Sequence, residues 1–301
     1  MTPSGAPRGA DVAVAAQLAC LLEASAPKPG NISPGAAFHN AGYEDFLASA
    51  VAIGPALAAV GERPLGATIR AAVEATGRWA PSNTNLGLVL LIAPLARAAL
   101  RREDAPLRAR LGATLAATTV ADAADVYAAI RLASPGGLGR APDQDVTGTP
   151  TVTLREAMAL AAGRDVIARE YATDFQATFA IAAPALKRAL GAGLSWSDSI
   201  VETYLTLLAA AADSHIARKL GAEPAVHVQR RARAVLDTGG VRTPAGREAI
   251  AALDRELRDA RNAMNPGATA DLTGAGIFVM LLEGAWGGRR GREGRGEHGR
   301  S

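Results

Sequence analysis

The chain has 301 residues, 49% of them hydrophobic but only 4% aromatic, with a single cysteine and a formal net charge of +3. Such a length buries a substantial core; alanine and leucine supply it rather than the alternating Val, Ile, Tyr and Thr of a β-sandwich, and Cys20 alone excludes an intrachain disulfide and a cysteine-based metal site. The charge excess sits in residues 287–301, with five Arg against two Glu, so the remaining body balances 27 basic against 27 acidic residues and carries no nucleic-acid footprint.

Residues 1–10 are expected to be disordered. The apolar run 12–22 superficially looks like a signal peptide, but Asp11 precedes it, Glu23 closes it and Arg8 is the only cation ahead of it. It therefore reads as the first helix, over 11–25. Further helices are expected over 43–59, 65–79, 86–102, 107–132, 153–171, 175–191, 197–211, 213–221, 224–237, 244–261 and 269–285. The stretch 107–132 shows apolar residues at three- and four-residue spacing, with Asp122 and Asp125 near one another on the helix.

The run 86–100 contains Pro94 and is too short to span a bilayer, so no membrane contact is expected and the chain reads as soluble and cytoplasmic. The longest non-helical stretch, 133–152, carries Ser134-Pro135-Gly136-Gly137 and Pro142-Asp143-Gln144-Asp145; a loop this long is either functional or disordered. The tail 287–301 is Gly/Arg-rich and expected to be disordered. With no repeat and no strand alternation, the expected fold is all-α, a single compact domain of ten or more helices over residues 11–286.

Three stretches depart from this helical background: Lys28-Pro29-Gly30-Asn31, Pro81-Ser82-Asn83-Thr84-Asn85-Leu86-Gly87 and Asn265-Pro266-Gly267-Ala268-Thr269-Ala270-Asp271-Leu272. Each places Pro, Gly or Asn just ahead of an apolar run, as a loop does when it turns into a helix start. A helix start offers free N–H groups and partial positive charge to a phosphate, although the same residues also serve as plain punctuation. Lys28, between Pro27 and Pro29, is either a pre-organised phosphate contact or a solvated surface lysine. Ser82, Asn83, Thr84 and Asn85 are an N-cap with more polar residues than one cap needs.

Asp213 emerges from the apolar run 204–212 as a candidate base or metal ligand, followed by Arg218 and Lys219 as phosphate contacts or as ordinary cations near a helix end. Asp271 sits in a first helical turn, where an acid is stabilised without any function, or else faces the same cavity as Lys28 and Asp213. There is no Walker-type loop, dinucleotide fingerprint or Gly-x-Ser-x-Gly elbow, and His39, His215, His227 and His298 show no zinc spacing.

In this order and spacing, the Lys-Pro-Gly, Asn-Thr-x-x-Gly, Asp-Ser-x-x-x-Arg-Lys and late Pro-Gly-x-x-Ala-Asp-Leu segments resemble the triphosphoribosyl-dephospho-CoA synthase family, from about residue 12 to 285. The resemblance implies an all-α enzyme that transfers the 5-triphosphoribosyl group of ATP to the ribose 2′-hydroxyl of dephospho-CoA and releases adenine, with Mg²⁺. It puts Lys28, Arg218 and Lys219 on phosphates and makes Asp213 and Asp271 the base or metal ligands. It also places Asn31, Ser82, Asn83, Thr84, Asn85 and Thr269 among the nucleotide contacts. Partners are then small molecules, and the apolar helix surface is compatible with a homodimer. One departure stands out: Asn85 and Leu86 occupy positions where members typically carry His and Lys. Two alternatives follow, a related ATP-dependent transferase or kinase with another acceptor, such as a one-carbon carrier cofactor intermediate, and a non-enzymatic nucleotide-binding helical module.

Overall fold

The computed structural model describes residues 7–286, and the two most apolar segments of the sequence form its two most enclosed helices. In chain order the helices are α1 (Gly9–Ser25), α2 (Tyr43–Ala52), α3 (Gly54–Ala58), α4 (Leu65–Thr76), α5 (Leu86–Ala99), α6 (Leu107–Ala116), α7 (Val120–Ala133), α8 (Leu154–Ala161) and α9 (Val166–Ala172). A π-helical turn (Thr178–Ala182) then leads into α10 (Ala183–Gly191), followed by α11 (Trp196–Ala210), α12 (Ser214–Leu220), α13 (Ala222–Asp237), α14 (Pro244–Leu257) and α15 (Gly267–Leu282). Among the described residues there is no β-strand, and the all-α single domain expected from composition is what forms.

Thirteen of the sixteen residues of α15 are buried, as befits a helix that is apolar on all sides. It runs through the middle of the molecule against α1, α5, α10 and α11. Helix α5 carries Pro94 in its interior, where the missing N–H leaves the Leu90 carbonyl without its helical donor. The hydroxyl of fully buried Tyr171 on α9 donates to that carbonyl at 2.6 Å, so the proline is tolerated and α9 is fastened to α5.

Several expected helices divide. The stretch 107–132 breaks into α6 and α7 because Thr119 caps α7: its hydroxyl accepts the Asp122 N–H at 3.1 Å while Asp122 accepts the Thr119 N–H at 2.9 Å. Asp122 also accepts the Gly66 N–H at 2.8 Å, which ties α7 to α4. The stretch 153–171 divides where Asp165 caps α9 through the N–H groups of Ile167 and Ala168. The stretch 43–59 divides at Ile53, ahead of Gly54-Pro55. The first helix starts at Gly9, two residues earlier than expected, and the tail 287–301 lies outside the described residues. No helix among the described residues is long and apolar enough to cross a membrane.

Candidate functional site

The three loop-to-helix segments come together around two adjoining cavities, of about 1540 Å³ and 110 Å³. The larger one is walled by the start of α5, the segment 134–146, α9 and α12, so the long loop, one of whose two readings was functional, lines it. That loop is held by Tyr127, whose hydroxyl donates to the Gln144 carbonyl at 2.5 Å, and by Arg131 on the Val146 carbonyl at 2.6 Å. Asn83, Asn85, Gly87, His215, Asn265 and Asp271 line both cavities and form the wall between them.

Asp271, the fifth residue of α15 and so past the first turn expected for it, is the central group. Gly87 lies so close that any Cβ there would run into its carboxylate, which explains a glycine in that motif. The carboxylate accepts no hydrogen bond from any described residue. Burial, together with the carboxylates of Glu23, Asp213 and Asp165, pushes its pKa well above the ordinary range, with Arg218 opposing. A carboxyl whose pKa is raised in this way is a better base than an ordinary carboxylate once it is ionised.

Asp213 is placed differently from the expectation of a base or metal ligand. It is 1% exposed and absent from both cavity walls. Oδ1 accepts the N–H groups of His215 (2.8 Å) and Ile216 (3.1 Å), capping α12. Oδ2 accepts both the N–H and the hydroxyl of Thr269 at 2.7 Å each, capping α15. Four donors occupy its lone pairs, so it works as a clamp between two helix starts. Thr269, expected to contact nucleotide, is the other half of that clamp and lines neither cavity.

Lys28 is likewise corrected. It is fully buried, with Nζ 2.9 Å from Glu23 Oε1 and donating to the carbonyls of Glu23 and Ala26. It therefore neither reaches a phosphate nor sits on the surface. Its loop is fixed from several sides: Tyr204 donates to the Pro29 carbonyl at 2.8 Å, and Asp254 accepts the Gly30 N–H at 2.8 Å. Arg258 donates to the Asn31 carbonyl at 2.9 Å. Gly30 has φ +71° and presses on Leu257, a position closed to other residues.

At the start of α5, Asn83 accepts the Leu86 N–H at 3.1 Å and still lines both cavities. The Thr84 hydroxyl is 2.6 Å from that of Ser49, at the edge of the smaller cavity, and Ser82 donates to the Asn40 carbonyl at 3.4 Å beside the larger one. Arg218 and Lys219 line the larger cavity. Arg218 donates to the Gly136 carbonyl at 3.0 Å and to Asp165 at 3.3 Å, whereas Lys219 makes no ion pair among the described residues. Burial and the Arg218 charge lower the Lys219 pKa, and an anion would relieve both effects.

Sequence reasoning passed over His215 as a site residue, although it follows directly on Asp213-Ser214. Burial and the neighbouring Lys219 and Arg218 cations push its pKa down to about 3, so the imidazole is neutral at physiological pH. Because the unfolded state binds this proton from pH ~6.5 downward and the folded state only near 3, stability falls as pH drops through that window. His215→Asn should flatten that part of the stability–pH curve, measured by urea unfolding between pH 7 and 4; an unchanged slope would place the acid sensitivity elsewhere.

Among the described residues no group of three or more His, Cys, Asp or Glu side chains converges on a metal position. Magnesium needs no such cage, since one or two carboxylates plus substrate phosphates and water complete its shell. An uncommitted carboxylate at Asp271 and the cations of the larger cavity fit an ion carried on a polyphosphate; Asp213, with its lone pairs filled, does not.

A family model described as ATP:dephospho-CoA triphosphoribosyl transferase (CitG) matches residues 9–290. Among curated proteins, a probable 2-(5''-triphosphoribosyl)-3'-dephosphocoenzyme-A synthase of Pseudomonas syringae pv. tomato is 37% identical over 121 residues, 40% of this chain and 41% of that protein. A protein of the same name from Stutzerimonas stutzeri is 32% identical over 38% of this chain and 39% of its own length. The matches thus span about two fifths of the curated relatives. A crystal structure from Archaeoglobus fulgidus, described as a candidate triphosphoribosyl-dephospho-CoA synthase, is 29% identical with a TM-score of 0.62, covering 80% of this chain and 99% of that one.

Proposed function

The chain belongs to the ATP:dephospho-CoA triphosphoribosyl transferase family, and from that premise we propose that it transfers the 5-triphosphoribosyl group of ATP to the ribose 2′-hydroxyl of dephospho-CoA. The observation that carries this reading is the uncommitted Asp271 carboxylate on the wall between two cavities, the larger of which also presents Arg218 and Lys219. Lys219 and Arg218 bind the triphosphate, which orients the ribose towards Asp271. The C1′–N9 bond breaks with its electron pair leaving on adenine, and the C1′–O2′ bond forms. Positive charge grows on the sugar in between, and the Asp271 carboxylate stabilises it. The proton of the attacking hydroxyl passes to Asp271 and from there, through solvent, to the departing adenine. Magnesium, when bound, neutralises charge on the triphosphate, with Asp271 the carboxylate free to reach it. A cytoplasmic location fits ATP as substrate and, with the homodimer reading, stays part of this proposal.

Incubation with ATP, Mg²⁺ and dephospho-CoA, followed by chromatography, should show free adenine only when dephospho-CoA is present. Lys219→Ala should weaken ATP binding by about 1–3 kcal/mol, the cost of one lost charge-assisted contact, with the melting temperature retained. ATP converted to ADP with no adenine would overturn the transfer reading. A second reading, a changed acceptor, is favoured by Asn85 and Leu86, both buried where family members typically carry His and Lys. It predicts adenine release with another hydroxyl acceptor and none with dephospho-CoA, read by mass spectrometry of the product.

A further inference from the structure

The smaller cavity is too polar for its position in an alanine-leucine core. Three carboxamides line it, Asn31, Asn85 and Asn265, which are 3%, 7% and 8% exposed. Each keeps a polar atom that has no hydrogen-bond partner among the described residues: Nδ2 of Asn31, Nδ2 of Asn85 and Oδ1 of Asn265. Other contacts fix two of them in place. Asn31 Oδ1 accepts the Ile32 N–H at 2.7 Å, and Asn85 Oδ1 accepts the Thr76 hydroxyl at 3.3 Å. Buried polar groups are nearly always paired, so three orphans on residues that line one small space point to a polar occupant.

The remaining lining gives that occupant its shape. Phe38 and Phe46 meet edge-to-face there, with centroids 6.1 Å apart and planes at 72°. Cys20, Leu88 and Ala50 add apolar surface. Cavities of about 150 Å³ hold one benzene ring, so at about 110 Å³ this one takes only the polar edge of a flat heterocycle, with the rest of the ring in the opening towards the larger cavity, and no whole nucleotide. A flat ring with several donors and acceptors on its edge, apolar on its faces, is a nucleobase. Carboxamides suit adenine in particular, accepting from the exocyclic amino group while donating to a ring nitrogen.

We propose that the smaller cavity seats the adenine of ATP, with Asn85, Asn265 and Asn31 reading its edge. This rests on the reading of ATP as substrate and adds where the leaving base lies. Asp271 lines both cavities, so a base in the smaller one and a triphosphate on Arg218 and Lys219 in the larger one place the sugar that joins them at that carboxylate. His215, neutral and also on the shared wall, faces the same junction.

The test is isothermal titration of the full chain with ATP, GTP, N6,N6-dimethyl-ATP and inorganic tripolyphosphate, repeated with Asn85→Leu and Asn265→Leu. The wild type should bind ATP about tenfold or more tightly than GTP or the dimethyl analogue, the effect of one or two unmatched polar contacts. Each variant should lose that preference and keep its affinity for tripolyphosphate. Equal affinity for ATP and GTP in the wild type, the result expected of a cavity filled by water, overturns the assignment without needing a variant. Retained preference in both variants overturns it as well. In either case ATP binding itself survives, and with it the transfer reading. A wild type that binds no nucleotide removes both.

Discussion

Asp271→Asn should lower adenine release by a factor of about 10²–10⁴, the range lost with a positioned acid–base group, while the protein stays folded and becomes more stable at neutral pH. The two halves of this expectation have one origin. Desolvation and the carboxylates of Glu23, Asp213 and Asp165 hold the Asp271 proton on well past the usual carboxylate range. Between about pH 3.9, the unfolded value, and that raised value, the folded chain binds more protons than the unfolded one. Stability that is complete at low pH is therefore lost as pH rises through the window. A neutral amide of the same shape removes that loss together with the base. Wild-type turnover should accordingly rise with pH along an acid limb lying above the ordinary carboxylate range, and the residual activity of the variant should lack it. Rates by chromatographic adenine assay and melting temperatures at pH 7 read both effects. Wild-type turnover in the variant would sink the assignment of Asp271.

Lys28→Met should cost about 3–5 kcal/mol of stability, the penalty for stranding one charge of a buried ion pair. The cation is fully enclosed against Glu23, and only carbonyl oxygens share it. Removing it leaves the Glu23 carboxylate buried without its cation. Adding Glu23→Leu should return most of the loss, because two well-packed apolar side chains replace a buried pair at little cost. Urea midpoints of the single and double variants measure both quantities. A single variant with an unchanged midpoint and a weakened affinity for ATP would return Lys28 to the substrate.

The pattern of helices was legible because alanine and leucine recur with helical spacing, and three loop-to-helix motifs stood out against them. Asp271, Arg218 and Lys219 line the larger cavity, whereas Lys28 and Asp213, grouped with Asp271 in the sequence, line neither. Lys28 and Asp213 were misread for a shared reason. A lysine between prolines looks the same whether its ammonium meets solvent or a glutamate in the last turn of the preceding helix, and only packing decides which. An aspartate ahead of a helix is equally a cap or a base; the Thr269 hydroxyl, 56 residues on, makes Asp213 a clamp. The divisions inside 107–132 and 153–171 were written in Thr119 and Asp165, whose capping roles were outweighed by the apolar periodicity around them. Asn265 and His215 stood inside or beside the motifs without being singled out, since their significance lies in which cavity walls they share.

The Asp213 clamp has a mechanical corollary. By joining the first turns of α12 and α15, it makes His215, Arg218, Lys219 and Asp271 ride on one rigid jaw of the site. The opposite jaw, residues 134–146, is held by single hydrogen bonds from Tyr127, Arg131 and Arg218 to its carbonyls. Substrate entry and any drift in acceptor choice thus have to be accommodated on that looser side, so the reaction chemistry can stay fixed while the molecule it is applied to changes.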